Sequence, residues 1–209
     1  MNRNCNYLFI TNSFIVHWVF LSLSLSVLVS CQSKDQPENN KPTKNTKAVN
    51  MCDLISQQDA EKIFNVTVEN VKNTVRNSSA KGESFATQCT YQVKSSAYKT
   101  IAIMVNYSVK MTNPKTINEL VALNTPKIDA KNEAQQKILD DVKNSFITGT
   151  QIKDMGDIGV WYNWAEVPSL MLYFKEHYQL IINLTGFEYN NDTLGMVKIV
   201  AEKLIKTFN

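Results

Sequence analysis

The sequence predicts an α+β domain: an antiparallel β-sheet of about five to six strands, helices packed on one face, and a C-terminal amphipathic helix. Three observations carry this. Over residues 100–109, Ile101, Ile103, Val105, Tyr107 and Val109 alternate with Ala102, Met104, Asn106 and Ser108, the period-2 pattern of a strand buried on one side. Residues 161–164, 170–174 and 178–185 form three closely spaced strand-like runs, with Lys175-Glu176-His177 as the turn between the last two. From about Asn191, Leu194, Val197, Val200, Ala201, Leu204, Ile205 and Phe208 recur at 3-and-4 spacing, and Glu202 and Lys206 form an i,i+4 pair on the outer side. Adjacent strands with helices at the ends favour α+β over α/β. Residues 51–209 are long enough to bury one full core.

Residues 1–30 have the layout of an export signal. A polar start with Arg3 as its charge precedes an apolar core at residues 14–29, which is 16 residues long. A membrane-spanning helix needs roughly 20, and His17 and three serines weaken this one further, so the segment is excluded from fold reasoning. Leu28-Val29-Ser30-Cys31 resembles a bacterial lipobox. That resemblance implies cleavage before Cys31, lipid on its thiol, and anchoring to a membrane of the cell envelope, the outer membrane in preference to the inner.

Residues 32–50 are rich in Asn, Lys, Gln, Pro and Thr, with Val49 the one strongly apolar side chain. Such a stretch buries too little surface to offset the entropy of ordering it. It reads as a disordered tether with a root-mean-square span of about 24 Å. Residues 51–209 hold 17 basic and 17 acidic side chains. A neutral domain gives no electrostatic case for nucleic acid as a partner.

Cys5 leaves with the signal and Cys31 takes the lipid, which leaves Cys52 and Cys89 as a pair in an oxidising compartment. A structural disulfide is the expected outcome. Closing a loop of about 38 residues contributes roughly 4 kcal/mol in the chain-entropy model. The rival readings fit less well: a redox pair usually shows C-x-x-C spacing, and zinc would need further Cys or His ligands.

Along the domain, Ser56-Gln57-Gln58-Asp59 reads as a helix start close to a capping box, with Ala60, Ile63 and Phe64 on one face. Residues 71–88 are polar and read as a loop or weak hairpin, followed by a short strand at 89–93. A helical stretch at 115–123 follows Pro114. Pro126 restarts a second helix, peripheral and mostly polar, whose inner face would use Ala134, Ile138, Leu139 and Val142. Gly149, Gly156 and Gly159 punctuate the approach to the three late strands.

Cys52-Asp53-Leu54-Ile55-Ser56 before a short helix, then Cys89-Thr90-Tyr91, resembles the opening of the DUF3558-type exported lipoproteins. The Gly156-Asp157 turn, the aromatic strand at Trp161, the hairpin and the C-terminal helix are similar as well. Residues 115–145 read as an elaboration of that pattern. The resemblance implies an exported, lipid-anchored domain and supplies no catalytic residues.

The residues themselves supply little chemistry. His177, the one histidine after residue 31, sits in a turn and reads as a surface residue. There is no Gly-x-Ser-x-Gly elbow and no phosphate-cradling glycine loop. Asp154 and Asp157 flank Gly156 but lack the further oxygens of a calcium loop, so no catalytic residue, metal or cofactor is expected. Asp192-Thr193-Leu194 is similar to a bacterial O-glycosylation acceptor, although Thr193 also suits a helix start.

The aromatic residues are more suggestive. Tyr162 and Trp164 face opposite to Trp161; Met171 and Tyr173 face opposite to Leu170, Leu172 and Phe174. Both sheet faces therefore carry large apolar groups. Tyr162, Trp164 and Tyr173 are a candidate ligand or partner surface, the alternative being that helices cover both faces. The leading expectation is a non-enzymatic envelope protein that binds an unidentified protein or ligand. An envelope hydrolase using unidentified carboxylates and an immunity-type inhibitor are the alternatives.

Overall fold

The computed structural model describes residues 49–77, 83–94, 96, 98–126 and 132–208. The expected export signal, Cys31 and residues 32–48 of the expected tether lie outside the described residues. The tether's last residue belongs to the fold: Asn50 caps the first helix, its side chain accepting from the Cys52 N–H at 3.0 Å.

The elements run α1 (Met51–Leu54), α2 (Gln57–Phe64), β1 (Val68–Asn77), β2 (Ser84–Val93), β3 (Thr100–Ser108), α3 (Ile117–Asn124), α4 (Glu133–Ile147), β4 (Thr150–Ile152), β5 (Ile158–Trp164), β6 (Val167–Phe174), β7 (Tyr178–Thr185) and α5 (Asn191–Thr207). The expected α+β class holds. The sheet has seven strands in the order β1-β2-β3-β7-β6-β5-β4, every neighbour antiparallel. Two meanders, β1 to β3 and β4 to β7, join where β3 pairs with β7.

Two strands go beyond the runs expected: the short β4, and β1, which with the first half of β2 lies in the segment expected to be a loop or weak hairpin. Ser84–Val93 alternates half-buried and buried positions along its whole length, so the hairpin is long and regular. Its outer strand is hard to see in the sequence because β1 buries fully only Val68 and is otherwise rich in Asn, Lys, Thr and Arg.

Helices also lie on both faces of the sheet, a correction to the one-face expectation. One face, here the inner face, packs Met51, Ala60 and Phe64 from α1 and α2, with Val197, Val200, Ala201 and Leu204 from α5, on Cys89, Tyr91, Ile101, Ile103, Leu170, Leu172, Leu180 and Ile182. The other face packs Leu120 and Val121 of α3, with Val142 and Phe146 of α4, on Ile158, Val160, Tyr162, Met171 and Tyr173. The inward side of α4 is Leu139, Val142, Ser145 and Phe146. Ala134 and Ile138, expected on it, are exposed. Phe146 sets the phase instead, tilting against the Tyr162 ring with centroids 4.5 Å apart.

Cys52 and Cys89 form the expected disulfide, with a Cα–Cα separation of 5.1 Å. It fastens α1 to β2 at the start of the domain. The Tyr91 hydroxyl adds a second tie by donating to the Ile55 carbonyl. Burial pushes the Tyr91 hydroxyl's pKa well above the usual tyrosine value, with the nearby Asp59 charge adding to the shift. Ser56 and Asp59 complete a reciprocal capping box. Asp59 also accepts from Lys203 at 2.8 Å, linking α2 to α5. That hydrogen bond, then those from the Ser56 side chain and backbone, lower the carboxyl's pKa to about 2.

Candidate functional site

The three aromatic residues singled out from the sequence do not form an open surface. Tyr162 is 5% exposed and Tyr173 is 1% exposed, both beneath α3 and α4. Trp164, at the end of β5, is half-buried and packs against the same cluster. Period-2 reasoning places all three on the correct face. The segment read as a peripheral elaboration covers that face, so Tyr162 and Tyr173 are core residues. Trp161, on the opposite face, stacks on Tyr189 at 5.2 Å, and the Tyr189 hydroxyl donates to the Trp161 carbonyl at 3.0 Å.

The other expectations resolve individually. His177 is half-buried, with Nδ1 3.2 Å from the Met111 carbonyl and its ring edge-on to Tyr107. Thr193 is buried in the first turn of α5, its hydroxyl 2.9 Å from Asn190 Oδ1, so the acceptor-like motif presents no free hydroxyl. Glu61 and Asp154 are pushed below the usual carboxylate range, by the Val68 N–H and by Lys198 respectively. Both shifts favour the ionised form, the opposite of what a general acid needs. Among the described residues no group of three His, Cys, Asp or Glu is placed to hold a metal ion.

The feature that stands out is the uncovered part of the outer face. Strand register defines rows that run straight across it. One row reads Lys72, Thr90, Ala102, Asn183, Ser169, Tyr162. The next reads Thr74, Gln88, Met104, Ile181, Met171, Val160, and a third reads Arg76, Ala86, Asn106, Gln179, Tyr173, Ile158. Each row is mostly polar or small on β1, β2 and β3, with Met104 the exception, and ends aromatic or aliphatic on β5. The outer-face side chains of β2 and β3, from Ser84 to Gln92 and from Thr100 to Ser108, are all partly accessible. Helices α3 and α4 stop short of them.

A polar seam marks the boundary. The Tyr173 hydroxyl donates to Asn124 Oδ1 at 3.1 Å and accepts from Gln179 Nε2 at 2.6 Å. Gln179 Oε1 accepts from Asn106 Nδ2 at 2.8 Å, and Asn124 Nδ2 donates to the Leu120 carbonyl at 2.8 Å. The network thus runs from α3 through β6 and β7 to β3. Burial pushes the Tyr173 pKa up to about 12, against the opposing effect of its hydrogen bonds to Asn124 and Gln179. Desolvation, the larger effect, wins.

Beyond the seam, the open half presents amides, hydroxyls and a small apolar centre (Ala86, Ala102, Met104 and Ile181). Lys72 and Arg76 are the only charges in these three rows, which contain no carboxylate. Asn183 Oδ1 is shut off from solvent with no hydrogen-bond partner among the described residues. A modest apolar centre ringed by neutral hydrogen-bonding groups is the usual make-up of a recognition surface. The alternation that creates this face is visible in the sequence. Which half the helices leave bare is not.

No family model, no curated protein and no solved structure matches this chain.

Proposed function

We propose that this chain is a lipid-anchored protein of the bacterial cell envelope, held to a membrane through Cys31, and that its domain is a non-enzymatic binding module. Its recognition surface is the open outer face of β1, β2, β3 and β7. The observation that carries the binding reading is that half-covered face. Two helices close it over β5 and β6, whereas the outer-face positions of β2 and β3 stay partly accessible. The anchor reading rests on Leu28-Val29-Ser30-Cys31, with a polar segment between it and Asn50, where the first helix is capped.

Two experiments test these parts separately. Metabolic labelling with an alkyne fatty acid is expected to mark the chain, and Cys31→Ser to abolish both the label and membrane recovery. An unlabelled wild-type chain overturns the anchor. For the surface, a photo-crosslinking residue at Ala102 is expected to give a discrete adduct in intact cells. The same residue at Ile199, exposed on α5, is expected to give none. Matching adduct patterns at both positions remove the open face as the recognition surface.

A further inference from the structure

The sheet has two very different edges. At one end β4 is three residues long; at the other, β1 is ten residues long and outermost. A long outer strand is a template for another strand. One end of β1 is already satisfied: the Val68 N–H donates to Glu61 Oε1 at 2.8 Å, and its carbonyl accepts from Gln57 Nε2 at 3.0 Å. The register then slips between Val68 and Asn70. From Asn70 to Arg76 the strand is regular, and its outer backbone groups have no strand partner among the described residues. Val75, on the inner-face side opposite Thr87, is left 42% exposed.

We propose that a second copy of this chain occupies this edge, with β1 pairing antiparallel to β1 about a two-fold axis through Asn73. The axis stands perpendicular to the sheet, so each face of one copy continues into the same face of the other. Charge selects the register. Centring on Lys72 would place Lys72 opposite Lys72, and centring on Thr74 would place Lys72 opposite Arg76 twice. Like charges directly opposite one another destabilise a strand pair. Centring on Val71 or Val75 shortens the ladder, because it runs into the Val68 bulge or off the strand end.

Centring on Asn73 pairs residues 70–76 of both copies with no like charges opposed. It sets Asn70 against Arg76 and Lys72 against Thr74 on the outer face. On the inner face it sets Val71 against Val75 on either side of an Asn73–Asn73 amide pair. The exposed Val75 gains an apolar partner, and the core that Val71 already joins continues across the axis. The two open outer faces merge into one surface crossing both copies. This inference stands on the edge strand and does not depend on the lipid anchor or on what the open face binds.

Cysteine cross-linking of the full chain in intact cells tests it. Directly opposed residues lie within disulfide reach, whereas residues six positions apart along a strand are separated by about 20 Å. Asn70 and Arg76 lie on the outer face, away from the Cys52–Cys89 bond. Asn70→Cys co-expressed with Arg76→Cys is expected to give disulfide-linked mixed dimers under mild oxidation, and either variant alone is expected to stay monomeric. Adding Val75→Lys, a change at an exposed site, to both variants is expected to abolish the linkage while the Cys52–Cys89 bond still forms. No mixed dimer overturns the proposal. Equal self-linking of either single variant also overturns it, since that reports collision, and so does linkage of the introduced thiols only to a different protein.

Discussion

The outer face of the sheet is one continuous surface with two fates. Over β5 and β6 it carries Tyr162, Tyr173, Met171 and Val160, and two helices close on it. Over β2 and β3 the same rows carry Thr90, Gln88, Ala86, Asn106 and Ala102 with a single methionine, Met104, and it stays partly accessible. Backbone geometry is the same in both halves; side-chain chemistry differs. An antiparallel sheet can leave a polar face in water, but a face of tyrosine and methionine requires cover. The lesson is that α3 and α4 are positioned by what the rows offer them and stop where the offer turns to amides. The Asn106–Gln179–Tyr173–Asn124 network occupies that border because it can satisfy polar groups that would otherwise be stranded beneath a helix.

The sharpest way to break this comparison is to truncate one side chain in each half. Phe146→Ala removes the ring that packs on Tyr162 and is expected to cost about 3–5 kcal/mol. Gln88→Ala on the open half is expected to stay within about 0.5 kcal/mol. Urea unfolding of the two variants measures both, and similar losses would mean the open half is covered after all. Replacing Cys52 and Cys89 with Ala tests the inner face, which has a covalent clamp that the outer face lacks. The expected loss is ~2–4 kcal/mol, read as a lower urea midpoint that added reductant does not shift further.

The border itself is probed by Tyr173→Phe. Removing the hydroxyl leaves Gln179 and Asn124 short of a buried partner, at an expected cost of about 1–3 kcal/mol. The same variant has a pH signature. The folded-state pKa of Tyr173 is raised to about 12, against about 10 for an unfolded tyrosine. The proton is therefore held more tightly in the native state. The stability this contributes is complete below pH ~10 and is lost as pH rises toward ~12. Tyr173→Phe is expected to unfold less steeply than wild type across that window, and unchanged steepness would contradict the assignment.

A smaller gain is expected at the β5–β6 tip, where Ala165 and Glu166 both adopt left-handed backbone angles, φ 50° and 62°. Two-residue hairpins of this kind favour Asn-Gly. Ala165→Asn with Glu166→Gly is therefore expected to stabilise the covered half by ~1 kcal/mol, seen as a higher melting temperature.

Much of this architecture is legible in the sequence. Strand β3 and α5 follow from clean period-2 and 3-and-4 patterns, because each has one face wholly in the core, and the late meander follows from closely spaced apolar runs buried on both faces. The disulfide follows from two cysteines remaining in a segment read from the sequence as exported. Strand β1 escapes such reading because an edge strand buries one side only and part of its length, so its alternation is diluted by Asn73 on the inner side. The phase of α4 is ambiguous because Ala134 and Ile138 are as apolar as Leu139 and Val142; only the position of Tyr162, across the sheet, chooses between them. The candidate site misleads for a related reason. Alternation reveals that Tyr162 and Tyr173 share a face, but cover comes from helices far away in sequence.

The strand order has a kinetic corollary. The two meanders meet at a single seam, where residues 100–107 of β3 pair with residues 178–185 of β7. Neither meander can finish its sheet without the other, and the pairing that unites them joins segments separated by α3, α4 and three strands. Until β7 has been made, β3 is itself a bare edge beside a bare β2–β3 face. Closing such a distant contact late makes for slow, all-or-none assembly. A chain that ends before residue 178 would be left with two separate three-stranded meanders and no strand to join them.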